Sequence, residues 1–252
     1  TGVQTCALPI CLFRSCNHLF GYVNHSGLDV FLCAFSGFFF YQVTEIVGGQ
    51  EHFVRIQFPI DERPSLEEIE RTLKENTDIA LVYTTHNETG TGILNPVREI
   101  GALVHKYHAA FVVDTTSTYA MVPINVKKDN IDFCMASAQK GLMAMTGVSF
   151  VIGKRSIIEQ SKDYPKRSYY CNLYLQYDYF EKHGEMHFTP PVQTVYAMKQ
   201  AIAEYFAEGE QEKWKRHTRV FEALHKGLAE LGFKDIIKRE WQTGLVIEVK
   251  DT

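Results

Sequence analysis

At 252 residues, with 45% hydrophobic and 22% charged residues, the chain has the make-up of a soluble globular protein. It is long enough for one large domain and part of a second. A formal net charge of -4 excludes the basic footprint of a nucleic-acid binder and the polybasic patch of a membrane-surface protein.

The opening stretch, TGVQTCALPI, has neither helical nor strand periodicity. The Cys- and Phe-rich run behind it includes LDVFLCAFSGFFFYQV at 28–43. That segment is shorter than the ~20 residues a spanning helix needs, and Asp29 interrupts it. A secretory signal is excluded too, because no short basic start leads into one apolar block and a small-residue cleavage site. The six cysteines, Cys6, Cys11, Cys16, Cys33, Cys134 and Cys171, contain no C-x-x-C pair. That excludes the usual zinc and dithiol spacings and points to a reducing, cytoplasmic compartment.

From about Phe53 the pattern becomes orderly. PSLEEIERTLKEN predicts a helix capped by Ser65, with Glu68 completing a capping box and Leu66, Ile69 and Leu73 forming an apolar stripe. IALVYTT at 79–85 is a dense apolar run, the mark of a strand buried on both faces. The turn-rich HNETGTG follows. Asn95 as N-cap and Pro96 at the first helical position predict the helix VREIGALVHKYH. AAFVVD at 109–114, IDFCMAS at 131–137 and VSFVIGK at 148–154 read as further strands. Strands alternating with helices at this spacing predict an α/β fold with a mostly parallel sheet.

Beyond Arg155, RSYYCNLYLQYDYFEKHGEMHFTPP is aromatic-rich and reads as irregular. PVQTVYAMKQAIAEYFAEG and EQEKWKRHTRVFEALHKGLAELG read as two long amphipathic helices, the second ending at Gly232. TGLVIEV at 243–249 reads as a strand of a second, smaller domain that begins near residue 206.

Mostly parallel sheets bind ligands at the carboxyl ends of their strands, and Thr89, Asp114 and Lys140 each follow an apolar strand. Taken alone, Asp114 is as readily a helix cap or turn former, and a lysine in ASAQKG is most often solvated. Together they place an anion and an amine at one sheet edge. That pair suits pyridoxal phosphate: the lysine forms the Schiff base, the carboxylate pairs with the pyridinium nitrogen, and Thr89 can reach the ring's phenolic oxygen.

VVDTTSTYAMVPINV, DFCMASAQKGLMAMTGVSFVIGKR and HFTPPVQTVYA resemble the class V, fold type I aminotransferases, and within them the family of 2-aminoethylphosphonate–pyruvate transaminases. The resemblance covers roughly residues 54–249. An aspartate after a strand, a lysine 26 residues on and a threonine in F-T-P-P recur there in this order. It implies the fold type I large domain and pyridoxal phosphate as cofactor. Lys140 is implied as the Schiff-base lysine that also moves the substrate proton, and Asp114 as the partner of the ring nitrogen. Thr89 and Gln139 are implied on the ring-oxygen side. Thr189 is implied at the cofactor phosphate of the neighbouring subunit, which makes the parent a homodimer. Gln139 stands where the related cysteine desulfurases usually carry histidine. Gly90 departs from the family's E-T/S-T/S-T-G loop, removing one hydroxyl.

The family's phosphate cup, expected near residue 12, has no counterpart in CLFRSCNHLFGYVNH. TGVQTCALPI matches, in frame, the translation of a common sequencing-adapter oligonucleotide. Residues 1–10 are therefore expected to be translated adapter, and 11–45 are set apart as a doubtful segment, a candidate for out-of-frame translation. Residues 46–205 are expected to form the cofactor-binding large domain, incomplete at its start. Residues 206–252 are expected to open a truncated small domain, with the substrate-carboxylate arginine beyond the end.

Arg167 with Tyr169, Tyr170, Tyr174 and Tyr177 can line a substrate channel, although packing is the stronger reading. His86, His105, His108, His183 and His187 lack metal-ligand spacing. The expected activity is transfer of the amino group of 2-aminoethylphosphonate to pyruvate, giving phosphonoacetaldehyde and L-alanine. The partners are small-molecule amines and 2-oxo acids, without nucleic acid or membrane. An alanine–glyoxylate or serine–glyoxylate transaminase of the same class, or an inactive fragment, stands as the alternative.

Overall fold

A computed structural model describes residues 8–14, 53–59, 61–164, 166, 169–247 and 249. Arg167 and the 28–43 segment lie outside the described residues. Among the described residues, six strands form one mixed sheet: β1 (Leu8–Arg14), β2 (Phe53–Phe58), β3 (Ile79–Thr85), β4 (Ala110–Asp114), β5 (Phe133–Ser137) and β6 (Ser149–Gly153), in the order β2-β1-β3-β4-β5-β6. β3, β4 and β5 pair in parallel. β6 runs antiparallel on β5, and β1 lies antiparallel to both β2 and β3. Four of the six strands thus point the same way. Residues 8–14 carry no strand pattern in the sequence. A ladder between β2 and β3 is satisfied by backbone groups, which every non-proline residue supplies.

Helices α1 (Leu66–Glu75) and α2 (Val97–Lys106) cover one face. Ile69 and Leu73 of α1, and Val97, Ile100 and Val104 of α2, pack on Val82, Phe111, Val113 and Cys134 of the sheet. Leu66, placed in the apolar stripe by its spacing, stays exposed at the helix start. Ser65 Oγ accepts the amide of Glu68 at 3.3 Å, as the capping pattern requires. The cap expected at Asn95 is not formed. α2 starts after Pro96, and Asn95 Nδ2 instead donates to the Thr85 carbonyl at 2.9 Å, tying the end of β3 to the chain that leaves it.

The 155–191 stretch is more regular than its composition suggests. It holds α3 (Arg155–Gln160) and α4 (Leu173–His183). Asn172 caps α4 by accepting the Leu175 amide at 2.9 Å, and Gly184 closes it in the left-handed conformation. α5 (Val192–Glu208) and α6 (Glu210–Glu230) follow, separated by Gly209. Among the described residues of TGLVIEV, 243–247 and 249, there is no strand. Thr243 donates from its amide to the Gly92 carbonyl at 2.9 Å, and isolated bridges join Ile93 to Gln242 and Asp235 to Val249. The segment therefore packs on the 92–94 loop, where it finds hydrogen-bond partners without a ladder. No described helix is long and apolar enough to cross a membrane.

Candidate active site

Side chains alternate across a strand, so the core face and the opposite face of β4 are fixed by its sequence. Phe111 and Val113 point into the helix-covered core. Val112 and Asp114 therefore point the other way. Parallel register sets Asp114 beside Thr85 of β3 and Met135 of β5. Tyr83 and Ser137, two residues along from those partners, share this face. The result is a polar corner at the carboxyl edge of three parallel strands.

Asp114 is its centre. Its Oδ1 accepts the Thr116 amide at 2.8 Å, and its Oδ2 accepts the Tyr83 hydroxyl at 3.4 Å. Burial pushes the carboxyl group above the usual carboxylate range, against the pull of its Thr116 and Tyr83 partners. Glu88 is buried too. Desolvation raises it and the nearby Asp114 charge raises it further, while amides of the 88–90 turn, including Gly90 N at 3.1 Å, oppose the shift. His86 is buried and pushed down to about 4 by desolvation. Its Nδ1 meets Thr118 Oγ1 at 2.9 Å.

Thr115 locks the edge. Its amide and its hydroxyl both donate to the Met135 carbonyl, at 2.9 and 2.8 Å. Lys140 lies in the turn three residues beyond β5, with its side chain exposed, and Gln139 beside it is half-buried. Thr89 is exposed in the loop after β3. Thr89, Asp114, Gln139 and Lys140 therefore all leave the sheet at the same edge. Thr189 is exposed on the approach to α5.

This corner fits a cationic aromatic ring bearing polar substituents. Asp114 is an enclosed carboxyl group whose described partners are neutral, so a protonated ring nitrogen supplies the charge it lacks. Ser137 Oγ and Asn87 Oδ1 are buried without hydrogen-bond partners. Buried polar atoms seldom stay unpaired unless something else satisfies them. Sequence reasoning passed over Ser137 and Asn87. The S-x-x-K spacing was the available signal for Ser137.

Other features lie apart from this corner. A cavity of about 420 Å³ opens at the opposite ends of β3, β4 and β5, lined by Leu81, Ala110, Phe133, Lys154 and Cys171 among others. The tyrosines pack locally. Tyr169 and Tyr170 lie against the Phe188 ring, Tyr174 donates to Asp178, and Tyr177 donates to Glu159 at 2.8 Å. No group of acids, histidines and cysteines among the described residues could hold a metal. Cys134 and Cys171 are buried.

The family model described as aminotransferase class-V matches residues 51–249. The chain is 35% identical over 189 residues to the 2-aminoethylphosphonate–pyruvate transaminase of Lysinibacillus sphaericus, covering 75% of this chain and 51% of the relative. It is 36% identical over 193 residues to the enzyme of that name from Phocaeicola vulgatus, covering 76% and 53%. The chain thus spans about half the length of these curated relatives. Among solved structures, an alanine–glyoxylate aminotransferase from Nostoc sp. superposes with a TM-score of 0.80 at 23% identity, covering 96% of this chain and 66% of the other. A pyridoxamine–pyruvate aminotransferase from Mesorhizobium loti gives 0.78 at 19%, covering 97% and 64%. At these identities the structural likeness bears on the fold alone.

Proposed function

Because the chain belongs to the class-V aminotransferase family, whose cofactor is pyridoxal phosphate, we propose that the full-length protein moves an amino group from 2-aminoethylphosphonate to pyruvate. The observation that carries the reaction type is the enclosed Asp114 carboxyl group, with neutral partners, at the strand edge from which Lys140 also emerges. The donor and acceptor rest on the relatives' names at 35% and 36% identity.

When bound, pyridoxal phosphate supplies an electron sink for the carbon that bears the amino group. Asp114 would hold the ring nitrogen and keep it protonated. Lys140 Nζ would hold the cofactor and carry the proton to and from the substrate carbon. Thr89 and Gln139 would face the ring-oxygen side. Thr189 would reach the phosphate bound by a second subunit, so the working unit is a homodimer in the cytoplasm. Residues 46–205, joined in the sheet by Leu8–Arg14, would form the cofactor-binding part and residues 206–252 a second part.

The test is an amine-donor screen on the full-length protein, with pyruvate and glyoxylate as acceptors. Alanine formation from 2-aminoethylphosphonate and pyruvate is the expected result. Activity with alanine and glyoxylate but none with the phosphonate would reject the donor and leave the reaction type standing. For the 252-residue chain itself, a visible absorbance band on mixing with pyridoxal phosphate, lost in Lys140→Ala, separates a cofactor-binding chain from an inactive one.

A further inference from the structure

The turn that carries Lys140 is gripped from two sides. Gly141 lies so close to the 119–121 turn that a Cβ there would meet the Tyr119 carbonyl oxygen at 2.2 Å and Met121 Cγ at 2.3 Å. From the other side, Lys213 of α6 donates from Nζ to the Gly141 carbonyl at 2.7 Å. Within the turn, Met143 donates its amide to the Lys140 carbonyl at 2.9 Å and holds φ at +62°. A non-glycine residue in that region costs on the order of 1 kcal/mol and persists where its surroundings over-determine it.

Lys213 is only 4% exposed, an uncommon condition for a lysine. The ordinary role for a helical lysine is a solvated surface position, as for Lys215 two residues on. Lys213 instead turns inward, with its ammonium 5.4 Å from the Tyr205 ring centre. The charged groups bearing on it are Glu208 at the end of α5 and Arg216 on α6 itself. Its hydrogen bond goes to the residue immediately after Lys140, 72 positions away in the chain.

We propose that Lys213 is a positioning residue: its ammonium, anchored on the Gly141 carbonyl, fixes the turn that presents Lys140 and links that turn to α6. This rests on the assignment of Lys140 as the cofactor lysine. A shift of α6 then reaches Lys140 through a single charge-assisted hydrogen bond.

The test compares the full chain with Lys213→Met, which keeps the length without the charge, and Lys213→Arg, which keeps the charge. The first measurement is amide hydrogen exchange without cofactor. Loss of a hydrogen bond to a charged group predicts at least about 10-fold faster exchange over residues 138–144 in Lys213→Met. β3 and β4 should be unaffected, and Lys213→Arg should recover most of the protection. The second measurement is the rate at which the visible band develops with pyridoxal phosphate, expected to fall at least several-fold in Lys213→Met and to return toward wild type in Lys213→Arg. Unchanged exchange over 138–144 overturns the proposal, as does faster exchange throughout the chain. Local loosening without a change in that rate overturns the link to Lys140. If no variant, wild type included, develops a band, the 252-residue chain does not bind the cofactor, and the exchange measurement alone decides whether Lys213 holds the turn.

Discussion

Asp114 lies near enough to Glu88 for its charge to raise the Glu88 carboxyl group, and both side chains are buried beneath the loop that follows β3. Two acids raised above their unfolded values bind protons more tightly in the folded chain. The stability they contribute is present below the unfolded values, near 4, and is lost as pH rises through the folded ones.

Asp114→Asn should therefore leave the cofactor-free chain at least as stable as wild type at pH 7, with the difference disappearing below about pH 4. Binding of pyridoxal phosphate should weaken by about 10- to 100-fold, the worth of one hydrogen bond to a charged group. Urea unfolding at two pH values and an absorbance titration check both halves. A marked loss of neutral-pH stability would mean that Asp114 is held by a positive partner.

Lys140 is exposed, and its side chain does nothing for the core. Lys140→Ala should shift unfolding by no more than about 0.5 kcal/mol, while the visible band with pyridoxal phosphate disappears. A band that survives would move the cofactor attachment to another amine.

His86 works against the two acids. Its folded value of about 4 lies below the ordinary 6.5, so the unfolded chain binds the extra proton between those limits and stability rises with pH across them. His86→Gln should remove that rise. Relative to the variant, wild type should gain about 2 kcal/mol between pH 5 and pH 7, read from urea midpoints at each pH. Parallel curves for the two proteins would show that His86 is already solvated.

Gly141→Ala would drive a methyl group into the Tyr119 carbonyl and the Met121 side chain. Overpacking of this kind costs about 1–3 kcal/mol. The contact involves backbone, so the Lys140 turn should move as well, lowering cofactor affinity alongside the melting temperature. A stable Gly141→Ala chain with unaltered affinity would show the turn to be soft.

The strands from 79 to 153 were legible because buried parallel strands concentrate apolar residues into short runs, and those runs led directly to Asp114 and to the turn of Lys140. Non-local pairing was not legible. Asn95 and Pro96 spell a helix start, yet the Asn95 amide goes to Thr85, ten residues back, and the cap is lost. α4 hid behind its tyrosines, although Asn172 and Gly184 marked both of its ends. TGLVIEV has strand composition but meets a loop where a strand would need a neighbour. Lys213 looks like any exposed helical lysine until its distant partner, Gly141, is known.

Thr115 directs its amide and its hydroxyl to one carbonyl across the β4–β5 seam. The rim on which the acid and the amine stand is thereby riveted at a β-sheet's own pitch, about 4.8 Å from strand to strand. Loops around that rim can lengthen, shorten or change composition from one relative to the next without altering the gauge of the opening they surround.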